Sequence, residues 1–450
     1  MLGEAWVFRV SSSKTLMWTD RLCNHEKRTR HLPIAVEGDH SMATPLCRLC
    51  SAELTHTFVD LGMSPPCQSY LGADELDRGE VFYPLHVRIC SECLLVQLPA
   101  YIPADEIFSH YGYFSSYSDS WVKHAKTFVD AAVDKLSLDD SSFIVEVASN
   151  DGYLLQHAMA RGIRSLGIEP AANVAEAALD KGVPTEVLFL GEETGAKVAA
   201  QHGKADLVAA NNVFAHVPDI VDFAKGLREL VADRGTVTIE IQHLQRLIEG
   251  NEYDTIYHEH YSYLSLPTTQ RVLAAAGLTV VDVEELQTHG GSLRTWSMPT
   301  ENAIEPSDAV RAVLAGEAAA GLDSLEGHGG FAKSVAQVRE DLMEFLIDCS
   351  RSGKTVAAYG APGKGNTLLN HCGVRSDLIQ FAVDRSPFKQ GKFLPGTHIP
   401  IFAPERLAEE RPDFVLIMPW NLRREISRQL DYVGGWGGKL VVALPELEVL

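Results

Sequence analysis

The chain has 450 residues, 46% hydrophobic and 22% charged, with a formal net charge of -21 and a mean hydropathy of -0.04. That length exceeds one ordinary core and implies two to four domains, and the acidic balance excludes nonspecific binding to nucleic acid or an anionic membrane. No run approaches the roughly 18 apolar residues of a membrane span and no apolar signal core opens the chain, so a cytoplasmic protein with no membrane or nucleic-acid partner is expected.

Residues 1 to 41 do not read like the rest. Trp6, Phe8, Leu16, Met17 and Trp18 set no helix or strand period, and Cys23, His31 and His40 have no ligand spacing. The segment is expected to be an extension of unknown role, with the first domain beginning at Met42. Eight cysteines are too few for a disulfide scaffold at this size; their pairing points to thiolate ligands in a reducing compartment. Cys47-Arg48-Leu49-Cys50 and Cys90-Ser91-Glu92-Cys93 each let two sulfurs reach one ion, and two such knuckles complete a tetrahedral shell. Four thiolates leave no position for water, so a structural zinc is expected, rather than a redox or iron site, in a module spanning residues 42–105. Cys67 falls outside the pattern and reads as an ordinary thiol.

Tyr111, Tyr113 and Tyr117 then form an aromatic cluster with Ser115 and Ser116. It reads equally as packing or as a wall of phenols over a site. The spacing of Val122, Ala125, Phe128, Val129, Ala132 and Leu136 predicts a helix from Trp121 to Leu136 with one buried face. Phe143 to Val147 predicts a strand, Ala148-Ser149-Asn150-Asp151-Gly152 a tight loop, and Ser165 to Glu169 a second strand ending in an acid. Ligands of open α/β sheets lie off the carboxyl ends of the strands, where such an acid accepts from both ribose hydroxyls. The loop is neither G-x-G-x-x-G nor a phosphate loop, which fits one ribose and a small adduct better than a pyrophosphate. S-adenosylmethionine is therefore the leading ligand, against an α/β unit with a polar loop and no such role.

A strand through Asp206 to Asn211 and Asn212 is followed by His216, a helix from Ile220 to Leu230 and a strand from Thr236 to Ile241. Tyr257, His258, Glu259, His260, Tyr261 and Tyr263 form the densest titratable cluster. His258 and His260 are half a metal site at most; a histidine beside a carboxylate and phenols suits proton transfer better. Gly290 and Gly291 are expected to interrupt a strand, as a bulge or as a close approach to ligand. Helices divided by the glycines between Gly321 and Gly330 lead to a second α/β unit. There Lys354 to Tyr359 and Ile379 to Asp384 read as strands, with Gly360-Ala-Pro-Gly363-Lys364-Gly365-Asn366 between them. That loop either cradles phosphate at a helix N-terminus or belongs to a ligand-free lobe.

The paired cysteines, Glu146 to Gly152, Tyr257-His-Glu259-His260 and the Gly360 loop, in this order, resemble the deoxysugar C-methyltransferases of the mycarose 3-C-methyltransferase type over about residues 45–450. The resemblance implies an α/β protein: a class I S-adenosylmethionine methyltransferase lobe with a Rossmann-like fold over residues 106–305, preceded by the zinc-binding module. A helical connector over 306–350 and a second Rossmann-like lobe over 351–450 follow. It implies S-adenosylmethionine and zinc as cofactors, and methylation beside the ketone of a nucleotide-linked 4-keto-6-deoxysugar, at C3. His260 is implied as general base, with His216, Tyr257, Glu259 and Tyr111 or Tyr113 around sugar and enolate. Candidate cofactor residues are Glu146, Asn150, Asp151, Gly152, Glu169 and Asn211; candidate substrate residues are Arg294, Lys364 and Asn366. Ala148 stands where the family usually has glycine.

The chemistry needs these residue types. A proton beside a ketone leaves because the charge spreads onto oxygen, a neutral imidazole takes it, and phenol or imidazole donors stabilise the enolate. Two rivals stand beside this reading: an NAD-dependent sugar-nucleotide oxidoreductase or epimerase using the second lobe, and a non-catalytic zinc-containing assembly protein.

Overall fold

The computed structural model describes residues 44–450 other than His110, Tyr111 and Tyr113. The N-terminal extension and the candidates Tyr111 and Tyr113 thus lie outside the described residues. Three sheets organise the rest. Strands β1 (His56–Ser64), β2 (Tyr83–Ile89) and β3 (Val96–Gln97) run antiparallel. The chain then gives β4 (Phe143–Val147), β5 (Arg164–Ile168), β6 (Thr185–Glu186), β7 (Ala205–Asn211), β8 (Val231–Gln242), β9 (Ser262–Tyr263), β10 (Leu278–Leu286) and β11 (Ser292–Pro299). All but β9 form a seven-stranded sheet in the order β10-β11-β8-β7-β4-β5-β6. Its pairs are parallel except for β11, which is antiparallel to both neighbours.

All five residues of β4 are buried, as a strand between parallel neighbours with helices on both faces requires. Ile144 joins a core with Phe128 and Val129 on one face; Phe143, Val145 and Val147 join Phe223 and Leu227 on the other. The helix predicted from Trp121 runs Asp119–Leu136, because Ser118 accepts from the Trp121 N–H and fixes its start. The helix Ile220–Leu230 begins at Asp219, whose carboxylate caps the Asp222 N–H.

The third sheet holds β12 (Val356–Tyr359), β13 (Ala382–Val383), β14 (Ile401–Phe402), β15 (Phe414–Ile417), β16 (Lys439–Val442) and β17 (Glu448–Val449), in the order β14-β13-β12-β15-β16-β17. Only β17 is antiparallel. The strand expected from Ile379 shrinks to two residues, since Gln380 turns its side-chain carbonyl onto the Val356 N–H. Gly290 and Gly291 end a turn between β10 and β11 rather than interrupting a strand. Their φ values of 97° and 143° reverse the chain, and a Cβ on Gly290 would collide with Glu252.

The segment after Cys47 is less separate than its sequence implies. Strand β9 pairs with β3, so residues just beyond His260 complete the antiparallel sheet of the cysteine-rich region. One core joins Phe58, Leu85 and Val87 of that sheet to Leu342, Leu368 and Leu416 near the third. Among the described residues no helix is long and apolar enough to cross a membrane.

Candidate active site

The sulfurs of Cys47, Cys50, Cys90 and Cys93 lie within 4.8 Å of one another. Cys47 to Cys93 and Cys50 to Cys90 are each 3.5 Å. Four sulfurs about 2.3 Å from a zinc ion would be roughly 3.8 Å apart, so the set fits the ion. Gln97 Nε2 donates to Cys47 Sγ at 3.2 Å, an outer hydrogen bond that favours the thiolate. Among the described residues, no such cluster includes His258 or His260. His258 Nε2 donates to the Tyr83 carbonyl at 3.3 Å, and burial drops its pKa to about 4.

A cavity of about 540 Å³ opens off the carboxyl ends of β4, β5 and β7 and reaches the third sheet. Asn150, Glu169, Asn211, His216, Tyr257, Glu259, His260 and Lys364 all line it. Glu169 ends β5 and accepts from the N–H groups of Asn150 and Ala171, both at 2.9 Å. Burial raises its pKa while these two donors pull it down. Two oxygens with lone pairs to spare face the cavity, which suits a ribose diol. Asn211 Oδ1 and Asn212 Nδ2 are buried atoms without a protein hydrogen-bond partner among the described residues. Both residues line the cavity, so it offers an acceptor and a donor to a bound molecule. S-adenosylmethionine, with a diol, an amino group and a carboxylate, fits that set.

The β4–β5 loop reaches this shape through φ values of 54° at Ala148, 50° at Asn150 and 76° at Gly152. Ala148 thus carries the conformation that glycine would adopt more easily. A Cβ on Gly152 would meet Val183, so that glycine permits close packing behind the loop. Asp151 points away from the cavity and takes Lys181 Nζ at 2.7 Å together with the Ser116 N–H and hydroxyl. Glu146 is buried without a partner for either oxygen among the described residues, and burial beside Glu169 and Asp151 raises its pKa well above the carboxylate range.

Across the cavity the imidazoles of His216 and His260 meet edge to face, with centroids 4.6 Å apart at 74°. The Tyr257 ring lies 4.1 Å from that of His260. His260 Nδ1 is 2.8 Å from the Thr255 carbonyl. A carbonyl only accepts, so Nδ1 carries the hydrogen and Nε2 is the basic nitrogen of the neutral ring. Glu259 Oε1 accepts from the buried thiol of Cys67 at 3.7 Å. Lys364 opens the helix Gly363–Cys372, donates to Asn421 Oδ1 at 3.2 Å and lies 5.0 Å over the Trp420 ring.

Two substrate candidates are not brought to the cavity. Arg294 is 4% exposed and bonds Glu240 at 2.6 Å and Glu284 at 3.2 Å. Burial opposes ionisation of Glu240, yet His124 and Arg294 outweigh it and hold the carboxyl at about 2. Asn366 spends its amide on the Cys67 carbonyl at 2.7 Å. Conversely, Trp121, Tyr153, Phe189, Asn212 and Asn421 line the cavity without having been singled out. Asn212 had a legible signal, a second amide at a strand end; Trp121 reads from sequence only as a helix start.

Three family models cover most of the chain: a zinc binding domain at residues 47–108, a methyltransferase domain at 121–283 and a C-methyltransferase C-terminal domain at 287–445. The C-methyltransferase NovU of Streptomyces niveus is 36% identical over 405 residues, which are 90% of this chain and 96% of that protein. Among solved structures, an S-adenosylmethionine-dependent methyltransferase from Clostridium acetobutylicum is 12% identical, covering 39% of this chain and 91% of that one, with a TM-score of 0.33. Magnesium protoporphyrin IX methyltransferase from Synechocystis PCC 6803 is 14% identical, with 39% and 82% covered and a TM-score of 0.32. No conclusion rests on overlaps of that size.

Proposed function

This chain belongs to the C-methyltransferase family of NovU, with S-adenosylmethionine as methyl donor, and from that premise we propose that it methylates the carbon beside the ketone, C3, of a nucleotide-linked 4-keto-6-deoxysugar. The observation that carries the reading is His260, its Nδ1 hydrogen held by Thr255 and its ring 4.6 Å from His216 in one cavity with Glu169 and Lys364. When bound, S-adenosylmethionine supplies an electrophilic methyl on a positive sulfur. Glu169 holds the ribose, and Asn150, Asn211 and Asn212 face the remaining polar groups. His260 Nε2 takes the proton from the sugar carbon. His216 and Tyr257 donate toward the oxygen where enolate charge gathers, a task typically worth a few kcal/mol per well-placed donor. Glu259, held by Cys67, fixes the loop beside the base. Lys364, whose side chain lines the cavity, meets the substrate's phosphates as a point charge.

The nicotinamide reading loses its support in the second lobe. Asp384 ends β13 as Glu169 ends β5, accepting from the N–H groups of Ala361 and Ser386 at 2.7 and 2.8 Å. There, however, Lys389 lies 3.8 Å from Asp384 and donates to the Ala361 carbonyl, to which Tyr70 also donates. A Cβ on Gly363 would meet Cys67 Sγ at 2.9 Å. The backbone a pyrophosphate would approach is taken up by the chain's own side chains. On this reading 42–105, 106–305, 306–350 and 351–450 are the working boundaries of module, methyltransferase lobe, connector and second lobe. The test is incubation in deuterated solvent with a panel of 4-keto sugar nucleotides. Deuterium entry at the carbon beside the ketone, followed by methylation there once S-adenosylmethionine is added, supports the function. Absence of both across the panel overturns it.

A further inference from the structure

We propose that Arg48, inside the first cysteine knuckle, is a positioning residue that fixes the His216 loop against the His260–Tyr261 segment. The inference rests on the roles given above to these two histidines. Arg48 does not line the cavity. Its Nη1 donates to the Pro218 carbonyl at 2.9 Å and is 3.5 Å from that of Val217. Val217 and Pro218 follow His216 directly, and all three line the cavity. Its Nη2 donates to the Leu98 carbonyl. The Leu98 N–H in turn donates to the carbonyl of Tyr261, the residue after His260, at 3.0 Å. The Tyr261 N–H closes the circuit on the Ala215 carbonyl at 2.8 Å, and the guanidinium lies 5.6 Å over the Tyr261 ring.

The other end of Arg48 is tied to the metal shell. Its backbone N–H and Nε both donate to Gln97 Oε1, at 3.0 and 3.3 Å, and Gln97 Nε2 donates to Cys47 Sγ. One planar fork thus spans the knuckle, the end of β3 and the loop of His216. Among the described residues, each hydrogen-bond acceptor of this guanidinium is a neutral carbonyl oxygen. Burial penalises the guanidinium's charge more than the nearby Cys47, Tyr261, Tyr263 and Asp219 offset it, which is a weak way to gain stability. It is a good spacer, because guanidinium geometry is rigid where an ammonium is a point charge on a flexible stem. Misplacing a reacting group by about 1 Å can reduce turnover roughly 10²-fold.

The experiment uses the full chain with Arg48→Lys, and with Gln97→Met as a second variant. Zinc content, S-adenosylhomocysteine affinity by calorimetry, amide hydrogen exchange at Ala215, His216, Val217 and Tyr261, and kcat are measured together. For Arg48→Lys, one zinc per chain and an affinity within about twofold of wild type are expected, with those amides exchanging about tenfold faster or more. Turnover should fall roughly 10- to 100-fold and KM for S-adenosylmethionine should stay unchanged. Gln97→Met keeps the carbonyl contacts and should show the same change at smaller size. Wild-type exchange at the four amides, loss of zinc or of folding in Arg48→Lys, or the whole effect reproduced by Gln97→Met would each overturn the role. The amide readout needs no substrate, so failure of the sugar chemistry in the wild-type protein would remove the proposed function and leave the position of the loop still decided.

Discussion

The two mainly parallel sheets use one local device and put it to different ends. In each, a strand, a tight turn and a helix are followed by a strand whose terminal acid accepts two backbone N–H groups: Glu169 from Asn150 and Ala171, Asp384 from Ala361 and Ser386. Around Glu169 the cleft stays open and lines the cavity. Around Asp384 it is filled by Lys389 and Tyr70, whose donors go to Ala361, and by Cys67 against Gly363. An acid at a strand end is therefore a turn-holding device first. It becomes a ligand group only where nothing else from the chain fills the space it faces.

The sharpest way to separate the lobes is to remove the base. His260→Ala should keep S-adenosylhomocysteine affinity and lose about 10²- to 10⁴-fold in both methylation and deuterium entry; near-normal turnover in the folded variant would return the role to His216. Next comes the same isosteric change on both sides. Glu169→Gln should weaken S-adenosylhomocysteine binding about tenfold or more, as one charge-assisted acceptor is typically worth about 1.5 to 3 kcal/mol. Asp384→Asn should leave that affinity unchanged and lower the melting temperature, because Lys389 loses its anionic neighbour. Equal losses of affinity from both changes, measured by calorimetry, would break the contrast.

Lys364→Met probes a place where the second lobe lines the cavity. It should raise KM for the sugar nucleotide about tenfold, the cost of one charged contact, with kcat and S-adenosylhomocysteine affinity nearly unchanged. Outside the cavity lining, burial raises the Glu252 carboxyl from 4.5 to about 7, which bears on stability and not on turnover. Between those values the folded chain holds a proton that the unfolded chain has released. Glu252 therefore favours the fold most below about pH 4.5, and that support declines as pH rises through about 7. Glu252→Gln should match wild type at pH 4 and melt a few degrees higher at pH 8, a difference of about 3 kcal/mol. Parallel melting curves across that range would remove Glu252 as the source.

The sequence by itself determined what short-range geometry dictates. Two C-x₂-C knuckles specify a four-sulfur shell because a two-residue spacer leaves few other arrangements. The run Phe143 to Val147 with its polar loop specifies a buried parallel strand delivering groups to its carboxyl end. Tyr257 to His260 concentrates titratable side chains whatever the fold. The tertiary structure decided which of these groups face a common space. Sequence spacing is silent on whether Arg294 reaches a substrate or, as here, Glu240 and Glu284. It is equally silent on Asn366 turning to Cys67, and on the second Gly-rich turn being filled from a segment some 290 residues earlier. Above all, the pairing of β9 with β3 joins the cysteine-rich module to the residues beyond His260. That contact is non-local, and periodicity within either segment carries no information about which partner closes its free edge.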